Sequence, residues 1–402
     1  MKKHRVVALT LFCMVTLLGT ALSGPARSYA RPAVAKWTFM VYAAADNNLE
    51  HWFVQEFDKE YGNVGSDGNI KIVLLADRAP GYAKQAGDWE DTRFFYVEKG
   101  TTAAEGETWG EKNMGDPQTL IDFITYSKQN YPADRYALVM WGHSWAWRPD
   151  ETMWDDTNDD ALDPHELAGA LHAAGGVDVV AYDACQPQVI EVETVWRDHV
   201  DYIVASQDTV WWEGFHQDLV LTALKANPTM SEQQLAVLMA QNMTDRTIAA
   251  VAMDDNWDNL LDAVTDWSTA LLAGLPSYRA YYDAAYDNTL GMPGDTLNKD
   301  LYDMAFEIWA SVPDEATEIK AASQAVMDAF TPALISYEWH QSNKYKDARG
   351  IGIFWPRYVA DLDIASSRPN DFEYYQTLEF AALTGWDQFL AAYVGVDWPY
   401  VP

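Results

Sequence analysis

Residues 177–185, which read Val-Asp-Val-Val-Ala-Tyr-Asp-Ala-Cys, decide the fold of this chain of 402 residues. The stretch is mostly apolar and rich in β-branched residues as far as Tyr182, and two glycines precede it. This pattern predicts a strand that is buried on both faces of a parallel sheet. Beyond Pro187 the apolar residues follow helical spacing, so we expect a turn and then a helix that begins around Gln186. The last side chains of the strand would lie at the carboxyl edge of the sheet, where open α/β sheets bind ligands.

Other apolar segments of strand length alternate with amphipathic helical segments on either side of this stretch. The other predicted strands are 37–45, 69–77, 92–98 (an edge strand or hairpin arm), 135–142, 201–206 and 350–356. Two Asp-Pro pairs, at 116–117 and 163–164, place aspartate at the N-cap and proline at the first position of a predicted helix. The alternation predicts an α/β fold with a mostly parallel sheet that helices cover on both faces.

Helical patterns dominate from about residue 214 to residue 343. The predicted helices of this region are 217–225, 231–244, 257–275, 296–310 and 314–330. A last helical stretch, 371–393, is broken near Gly385. Because no linker rich in proline or glycine separates these parts, we interpret 214–343 as a helix-rich elaboration on a single α/β unit.

Residues 1–30 have the composition of a secretory signal peptide. Lys2, Lys3 and Arg5 form a basic start, residues 6–18 form an apolar core, and residues 28–30 (Ser-Tyr-Ala) form a cleavage site of the small-residue type. The apolar core is too short to predict a membrane span. We therefore expect a mature chain, residues 31–402, that is secreted, periplasmic or extracellular and has no stable membrane association.

The chain is strongly acidic, with 60 Asp and Glu residues, 27 Lys and Arg residues and a formal net charge of −33. Such a surface repels nucleic acid and anionic lipid, so we expect neither as a partner. In our interpretation most of the acidic residues serve solubility. The same field favours cationic substrates and metals.

Cys185 and His143 are the residues that could carry chemistry at the predicted sheet edge. Cys185 is the single cysteine outside the signal peptide, and an exported chain without a disulfide is unusual. His143 follows the strand 135–142 as Cys185 follows its own strand, so neighbouring parallel strands would bring the two side chains together. A nearby imidazole or helix N-terminus favours the thiolate, which suits acyl transfer. The alternative is a buried, inert cysteine and a histidine with a purely structural hydrogen bond.

A set of short motifs resembles the clostripain family of cysteine peptidases, in the same order along the chain. The motifs are 36–42 (KWTFMVY), 46–50 (DNNLE), 141–143 (WGH), 183–185 (DAC), 205–207 (ASQ), 300–303 (DLYD), 350–357 (GIGIFWPR) and the segment 374–390. No single motif is specific, but the ordered set is. The resemblance implies a caspase-like α/β fold, shared with the group that includes caspases, legumain and gingipains. It also implies the activity of a secreted cysteine endopeptidase that acts on peptides or proteins.

By this resemblance His143 is the catalytic histidine and Cys185 is the nucleophile. The backbone N–H groups of Ser144 and Cys185 would form the oxyanion hole. The chain departs from the family after the histidine, where Ser-Trp-Ala-Trp (144–147) stands in place of a glycine run before an aromatic residue. It departs again after Cys185, where Gln-Pro-Gln stands in place of Leu-Met-Gly. These departures bear on specificity more than on mechanism.

Asp183 matches the acidic residue two positions before the nucleophile, which the family associates with a basic P1 side chain. A carboxylate at a pocket edge pairs with a guanidinium or ammonium group, and Asp208 and Glu213 could add negative potential from the next loop. We therefore expect cleavage after arginine or lysine. Two alternatives stay open. Asp183 could instead accept backbone N–H groups in its turn, and Trp211 with Trp212 could favour an apolar or aromatic P1 side chain.

The acidic run at 155–160 offers Asp156, Asn158 and Asp160 as candidate calcium ligands, and calcium dependence occurs in the clostripain family. The run does not fit an EF-hand loop, because Ala161 and Leu167 stand where that loop has its glycine and its last glutamate. We favour a solvated acidic loop with at most weak calcium binding. The expected thiol chemistry requires no cofactor.

Two other function classes stay open at the level of sequence. One is a secreted binding protein that keeps the peptidase fold with a degenerate site. The other is a carbohydrate-active protein, which the acidic residues and the 18 tryptophans could suggest. Most of these tryptophans lie in strand or helix patterns that are typical of core packing.

Overall fold

The computed structural model describes residues 34–149, 151–211, 214–243, 245–362 and 371–400. The predicted signal peptide lies outside these residues. The strands of the described chain are β1 (Ala35–Ala45), β2 (Ile70–Arg78), β3 (Thr92–Tyr96), β4 (Glu107–Gly110), β5 (Ala133–Trp141), β6 (Thr152–Asp155), β7 (Asp160–Leu162), β8 (Val179–Asp183), β9 (Tyr202–Ala205), β10 (Thr247–Ala252), β11 (Gly291–Met292), β12 (Asp295–Asp300), β13 (Ile335–His340) and β14 (Gly352–Phe354). Its α-helices are α1 (Glu50–Phe57), α2 (Pro117–Asn130), α3 (Pro164–Ala174), α4 (Ile190–Glu193), α5 (Gln217–Ala226), α6 (Glu232–Gln241), α7 (Asp255–Asn288), α8 (Leu301–Ser311), α9 (Thr317–Ala329), α10 (Asp371–Tyr375), α11 (Glu379–Thr384) and α12 (Trp386–Val394).

A nine-stranded sheet in the order β13-β10-β9-β8-β5-β1-β2-β3-β4 forms the centre of the molecule. The five strands from β9 to β2 run parallel to one another. Antiparallel strands continue the sheet on both sides, with β3 and β4 at one edge and β10 and β13 at the other. This arrangement confirms the predicted α/β class with a mostly parallel sheet. The predicted strand 92–98 is β3, which is a hairpin arm between β2 and β4, and β4 rather than β3 forms the edge.

Alternate side chains of the central strands enter two apolar cores, one on each face of the sheet. In β1, Met40 and Tyr42 belong to one core, whereas Phe39 and Val41 belong to the other, as the period of two in a strand requires. Side chains of α2, α3 and α7 contribute to the first core, and those of α1, α5 and α6 contribute to the second. Coverage on both faces explains why the strand sequences are continuously apolar rather than alternating.

Capping side chains fix the starts of the helices that precede β5 and β8. Asp116 accepts a hydrogen bond from the Gln118 N–H (2.8 Å) at the start of α2. Asp163 and Glu166 form a reciprocal capping box at the start of α3. Gly175 ends α3 with φ 76°, a left-handed conformation in which glycine avoids a steric cost. These residues therefore set where the chain turns before it enters β8.

The helix-rich region at 214–343 also contains strands that the sequence pattern did not predict. Strands β10 and β13 pair antiparallel and extend the central sheet. The alanine-rich sequence of β10 shows no alternation of apolar and polar residues. It lies between two helices, so it could not be distinguished from the helical patterns on either side. The predicted helix 296–310 begins as β12, and Asp300 caps α8 through the Asp303 N–H (2.9 Å). The late strand at 350–356 is β14, which lies in a small separate sheet with β11 and β12.

Helix α7 is the longest described helix. It was predicted to end at residue 275, but it continues through Pro276 and ends at Asn288. Its buried residues recur at helical spacing along one side, where they join the core formed with α8 and α9. None of the described helices combines the length and the apolar character that a membrane span needs. All described residues belong to one compact unit, Val34–Pro402.

Candidate active site

Strands β5 and β8 are neighbours in the sheet and carry His143 and Cys185 to the same edge. The two strands run parallel with Trp141 opposite Asp183, and each candidate residue lies just beyond its strand end. The Gly142 N–H donates to the Asp183 carbonyl oxygen at 3.3 Å, which joins the two strand ends. The structure therefore brings together the two side chains that the strand pattern singled out.

A cavity of about 400 Å³ opens at this edge, and His143 and Cys185 both line it. The rest of its lining comes from the segment after β5, the turn after β8, the loop after β9 and the turn before β12. These residues are Ser144, Trp145, Glu151, Trp154, Gln186, Thr209 and Gly294. An open cleft of this size, lined by both aromatic and polar side chains, suits a segment of peptide.

Asn48 holds the ring of His143, with its Oδ1 atom 2.7 Å from His143 Nε2. Because an amide oxygen can only accept a hydrogen bond, Nε2 carries the proton and Nδ1 is the basic nitrogen. The His143 carbonyl oxygen accepts the Met153 N–H at 2.8 Å, which also fixes the backbone. Burial lowers the pKa of His143 below its ordinary value, although Asp156 acts in the opposite direction. The imidazole is therefore neutral at neutral pH and ready to accept a proton at Nδ1.

The thiol of Cys185 is partly buried against Val210. Its Sγ atom lies 3.5 Å from the Val210 nitrogen and 3.8 Å from the Val210 carbonyl oxygen. Burial raises the pKa of the Cys185 thiol, whereas the hydrogen bond from Val210 lowers it by a smaller amount. In the free protein Cys185 is therefore a thiol rather than a thiolate at neutral pH.

The helix that was expected to begin around Gln186 begins later and is short. Gln186 has φ 62°, and Val189 forms an isolated bridge with Gly352, so the chain turns and pairs before it becomes helical. Helix α4 then comprises four residues. The effect of a helix dipole falls off within the first turn, so this short, displaced helix does not supply the influence on the thiol that the sequence pattern suggested.

The backbone N–H groups of Ser144 and Cys185 are available to a ligand. In the part of the chain that the structure describes, neither group donates a hydrogen bond, and both residues line the larger cavity. The Ser144 hydroxyl lies 3.2 Å from the Thr152 hydroxyl, which anchors the side chain away from solvent. Two free N–H groups beside the thiol have the chemistry of an oxyanion hole.

The segment after Ser144 is held by packing where the family has glycines. Ala146 adopts φ 52°, which costs a residue with a Cβ atom roughly 1 kcal/mol or more. Next to it the buried Arg148 forms an ion pair with Asp295 at 2.8 Å. The Trp145 ring lies over the Arg148 guanidinium group, 4.7 Å from its carbon atom to the ring centre. These contacts restrain the segment that follows Ser144.

A smaller cavity of about 150 Å³ adjoins the first and includes Asp183 in its lining. Trp52, Trp141 and Trp211 form much of its wall. The Asp183 carboxylate accepts the Phe215 N–H at 3.3 Å, so one of its oxygen atoms does serve the turn. Burial raises the pKa of Asp183 to about 7, and nearby glutamates add to this effect. Asp183 is therefore both a turn acceptor and a carboxyl group at a cavity wall.

The other predicted pocket residues occupy different positions. Asp208 is fully buried and lines neither cavity, because its carboxylate accepts hydrogen bonds from the Tyr345 hydroxyl (2.7 Å) and the Arg246 guanidinium (3.3 Å). The charge of Asp208 acts on the Cys185 thiol and raises its pKa, but the paired Arg246 acts in the opposite direction, so the expected negative potential is opposed by a neighbouring cation. Trp211 is 57% exposed and lies under Arg246, 5.1 Å from ring centre to guanidinium carbon. Glu213 lies outside the described residues.

The three candidate calcium ligands of the run at 155–160 are each engaged in hydrogen bonds with different neighbours. Asp156 accepts hydrogen bonds from two aromatic side chains and is exposed. Asp160 accepts one from Asn113, and Asn158 directs its amide nitrogen toward Asp155. With these contacts in place, at most weak calcium binding by this run stays the prediction.

Two features near the site were not predicted from the sequence. One is the contact of Asn48 with His143, although the DNNLE motif that contains Asn48 was recognised. The other is a cluster of four carboxylates, contributed by Asp46, Asp77, Glu111 and Asp155. A signal for part of this cluster was present, because Asp46 and Asp77 lie at the carboxyl ends of two neighbouring parallel strands.

Comparison with known structures relates the fold to C11 cysteine proteases. The chain is similar to a secreted C11 cysteine protease from Bacteroides thetaiotaomicron in complex with an irreversible peptide inhibitor, with a TM-score of 0.64, 17% identity and coverage of 88% of this chain and 100% of that one. It is also similar to an inactive zymogen C11 protease from Parabacteroides distasonis, with a TM-score of 0.65, 19% identity and coverage of 88% and 99%. At these identities the likeness shows the fold, and it confirms the predicted caspase-like class.

Sequence comparison gives the family. The chain is 29% identical to clostripain from Hathewaya histolytica over 266 residues, which cover 53% of this chain and 51% of the relative. It therefore spans about half the length of the curated relative that it matches. The sequence profile of the clostripain family (Peptidase_C11) matches residues 41–393, which is most of the chain. The protein therefore belongs to the clostripain family, as its motifs indicated.

Proposed function

We propose that the protein is a secreted cysteine endopeptidase in which Cys185 attacks the peptide bond and His143 transfers the protons. One observation carries this proposal: the thiol and the imidazole follow neighbouring parallel strands and line one open cavity. Membership in the clostripain family supports it. The substrate is a peptide or protein, and the predicted signal peptide supports secretion.

Acylation begins from two neutral groups. As the Cys185 sulfur attacks the substrate carbonyl carbon, its proton passes to His143 Nδ1, because Asn48 occupies Nε2. The carbonyl oxygen becomes negatively charged, and the Ser144 and Cys185 N–H groups donate to it. The imidazolium then gives its proton to the leaving amine, which departs as the thioester forms.

Deacylation repeats these steps with water. A water molecule attacks the thioester carbonyl while His143 accepts one of its protons at Nδ1. The same two N–H groups stabilise the second tetrahedral intermediate. Its collapse releases the new carboxylic acid, which loses its proton to solvent, and the proton on His143 returns to the Cys185 thiolate.

The smaller cavity is the proposed pocket for the P1 side chain, and we propose that it accepts arginine or lysine. The ionised Asp183 carboxylate would pair with the guanidinium or ammonium group. Trp52, Trp141 and Trp211 would contact the aliphatic stem and the flat face of the cation, since guanidinium groups stack on aromatic rings. A charge-assisted pair that is removed from water contributes roughly 1.5–3 kcal/mol, enough to favour a basic side chain over an apolar one of equal size.

The competing function classes have less support from the described residues. A carbohydrate-binding groove needs exposed aromatic platforms, but many of the tryptophans are fully buried. These are Trp37, Trp147, Trp196, Trp257, Trp267, Trp355 and Trp386. A degenerate binding protein would not need free N–H groups beside a thiol and an oriented imidazole.

Hydrolysis of a short peptide amide with arginine at P1 tests the proposal. Cys185→Ala and His143→Ala should each lower kcat/KM by roughly 10⁴-fold or more while thermal unfolding stays unchanged, because nucleophile and proton carrier act as a unit. His172→Ala removes an exposed histidine of α3 and is the matched control, with activity equal to the parent. Turnover by Cys185→Ala at the parent rate would remove the proposed mechanism.

A further inference from the structure

The two cavities of the cleft meet at the reacting groups. Of the described residues that line them, only His143 and Cys185 belong to both. The smaller cavity is the proposed pocket for the P1 side chain, on the acyl side of the cleaved bond. On the proposed function, His143 gives its proton to the leaving amine on the other side of that bond. The larger cavity then lies where the residue that follows the bond, P1′, would be bound.

Two indole rings and one carboxylate contribute to the wall of the larger cavity. Trp145, Trp154 and Glu151 all line it, and its described lining includes no lysine or arginine. The indole N–H of Trp154 donates to Asp156 Oδ1 at 2.6 Å, and that of Trp145 donates to Asp295 Oδ2 at 3.2 Å. Because both N–H groups are engaged, the two residues have apolar ring surface left for a ligand. Aromatic rings beside a carboxylate suit a cation on an aliphatic stem.

An irregularity in β6 allows Glu151 and Trp154 to line the same cavity. Residues three positions apart point to opposite faces of a regular strand. Here Met153 adopts φ 61°, and the pairing of β6 with β7 shifts its register. Such an irregularity re-aims side chains, often beside active sites. The Met153 N–H also donates to the His143 carbonyl oxygen at 2.8 Å, so the segment that carries both side chains is fixed against His143.

The carboxylate of Glu151 is half-buried and unpaired. Among the described residues it forms no hydrogen bond and no ion pair. The charge of Arg148 acts on it, but the Arg148 guanidinium is already paired with Asp295 at 2.8 Å. Burial raises the pKa of Glu151, and Asp371 adds to this effect while Arg148 opposes it. Because burial without a partner disfavours the ionised form, a cationic ligand would gain a charge-assisted hydrogen bond here.

We propose that the larger cavity binds the P1′ side chain and that Glu151 makes it select lysine or arginine. The ammonium or guanidinium group would pair with Glu151, and the aliphatic stem would contact the rings of Trp145 and Trp154. Together with the proposed preference at P1, this defines the substrate as a chain that has two consecutive basic residues and is cleaved between them. Glu151 determines specificity and takes no part in breaking the bond.

Internally quenched peptides with arginine at P1 and different P1′ residues test this proposal. The parent kcat/KM should be roughly three- to tenfold higher with lysine than with norleucine at P1′, since a partly exposed ion pair and a cation–π contact each contribute modestly. Product masses identify the cleaved bond. In Glu151→Gln the two peptides should be cleaved at nearly equal rates, and Glu151→Lys should prefer glutamate at P1′. Glu318→Gln, at an exposed position of α9, is the matched control and should keep the parent preference.

Three results would overturn the proposal. One is a parent that prefers norleucine or phenylalanine to lysine at P1′. Another is a preference for lysine that persists in Glu151→Gln. The third is a preference that depends on Glu151 but appears when lysine replaces norleucine at P2, because the cavity would then lie on the acyl side of the bond.

Peptide binding to the chain that carries Cys185→Ala separates this proposal from the proposed function on which it rests. By fluorescence anisotropy, the peptide with lysine at P1′ should bind more tightly than the norleucine peptide, and adding Glu151→Gln should remove the difference. This result, combined with no cleavage by the parent, would count against the peptidase function alone. Equal binding of the two peptides would overturn the subsite, whether or not the parent cleaves them.

Discussion

Burial shifts the pKa values of Cys185 and His143 in opposite directions, and both shifts favour the uncharged forms. The thiol pKa is raised and the imidazole pKa is lowered, with burial as the largest cause in each case. A neutral pair needs His143 to remove the thiol proton during attack rather than before it. The orientation of the ring then matters more than a stable ion pair.

Asn48→Ala should lower kcat by roughly ten- to a hundredfold, because an imidazole that is no longer held loses part of the rate that general acid–base catalysis contributes. The substitution removes the acceptor that holds His143 Nε2 at 2.7 Å, so the ring loses the contact that fixes its orientation and its tautomer. KM should change little, since Asn48 contacts the imidazole and not the cavity that is proposed for P1. Steady-state kinetics with an arginine substrate measure both constants.

Asn130→Ala is the control for this substitution, because Asn130 lies at the exposed end of α2 and contacts only backbone nearby. It should leave kcat unchanged. A kcat for Asn48→Ala within the error of the parent would show that Asn48 does not position the histidine.

The preference for a basic P1 side chain should strengthen as pH rises from 6 to 8. Because the pKa of Asp183 is raised to about 7, its carboxyl group is protonated at pH 6 and cannot pair with a cation. Its ionised fraction, and with it kcat/KM for an arginine substrate, should increase about tenfold over this range. A norleucine substrate measured in parallel separates this effect from titration of the other groups.

In Asp183→Asn the ratio of kcat/KM for the arginine substrate to kcat/KM for the norleucine substrate should no longer depend on pH. A ratio that stays constant with pH in the parent, or that still varies in Asp183→Asn, would assign the preference to another residue.

At the scale of the elements, caps and strand ends place the site. Asp163→Ala removes the capping box of α3, the helix that leads into β8. It should lower the free energy of unfolding by about 1–2 kcal/mol, measured by urea denaturation. Asp262→Ala, at an exposed position of α7, should change it by less than about 0.5 kcal/mol. Equal stability of the two variants would mean that the cap does not contribute.

Much of the element order was predictable because the central strands are covered on both faces. Their sequences are therefore continuous apolar runs, and the Asp-Pro pairs mark the starts of α2 and α3. From two such runs, the placement of His143 and Cys185 at one sheet edge could be predicted. Strand β10 could not, since an alanine-rich run without alternation is equally compatible with a helix.

Contacts between distant segments were also beyond the sequence pattern. The pairing of Asp208 with Arg246 and Tyr345 joins three loops that no local periodicity relates. The same holds for Asn48 and His143, which are 95 positions apart. Such contacts depend on where the folded strands end, so the roles of these residues became clear only in three dimensions.

At the scale of the whole molecule, one compact unit presents two adjoining cavities on a strongly acidic chain. The net charge of −33 attracts cationic peptides toward the cleft. Within the cleft, the carboxyl group of Asp183 and the thiol of Cys185 line the same smaller cavity. Long-range attraction therefore favours the same class of substrate as the proposed P1 pocket.

Covalent labelling with a peptidyl acyloxymethyl ketone that carries arginine at P1 tests the central proposal most directly. The parent protein should gain one adduct, which peptide mapping places on Cys185, and should react faster than with the leucine analogue. His143→Ala should react at least about a hundredfold more slowly, because general acid–base catalysis is lost. An adduct on another residue, or equal labelling rates for the parent and His143→Ala, would contradict the proposed pair.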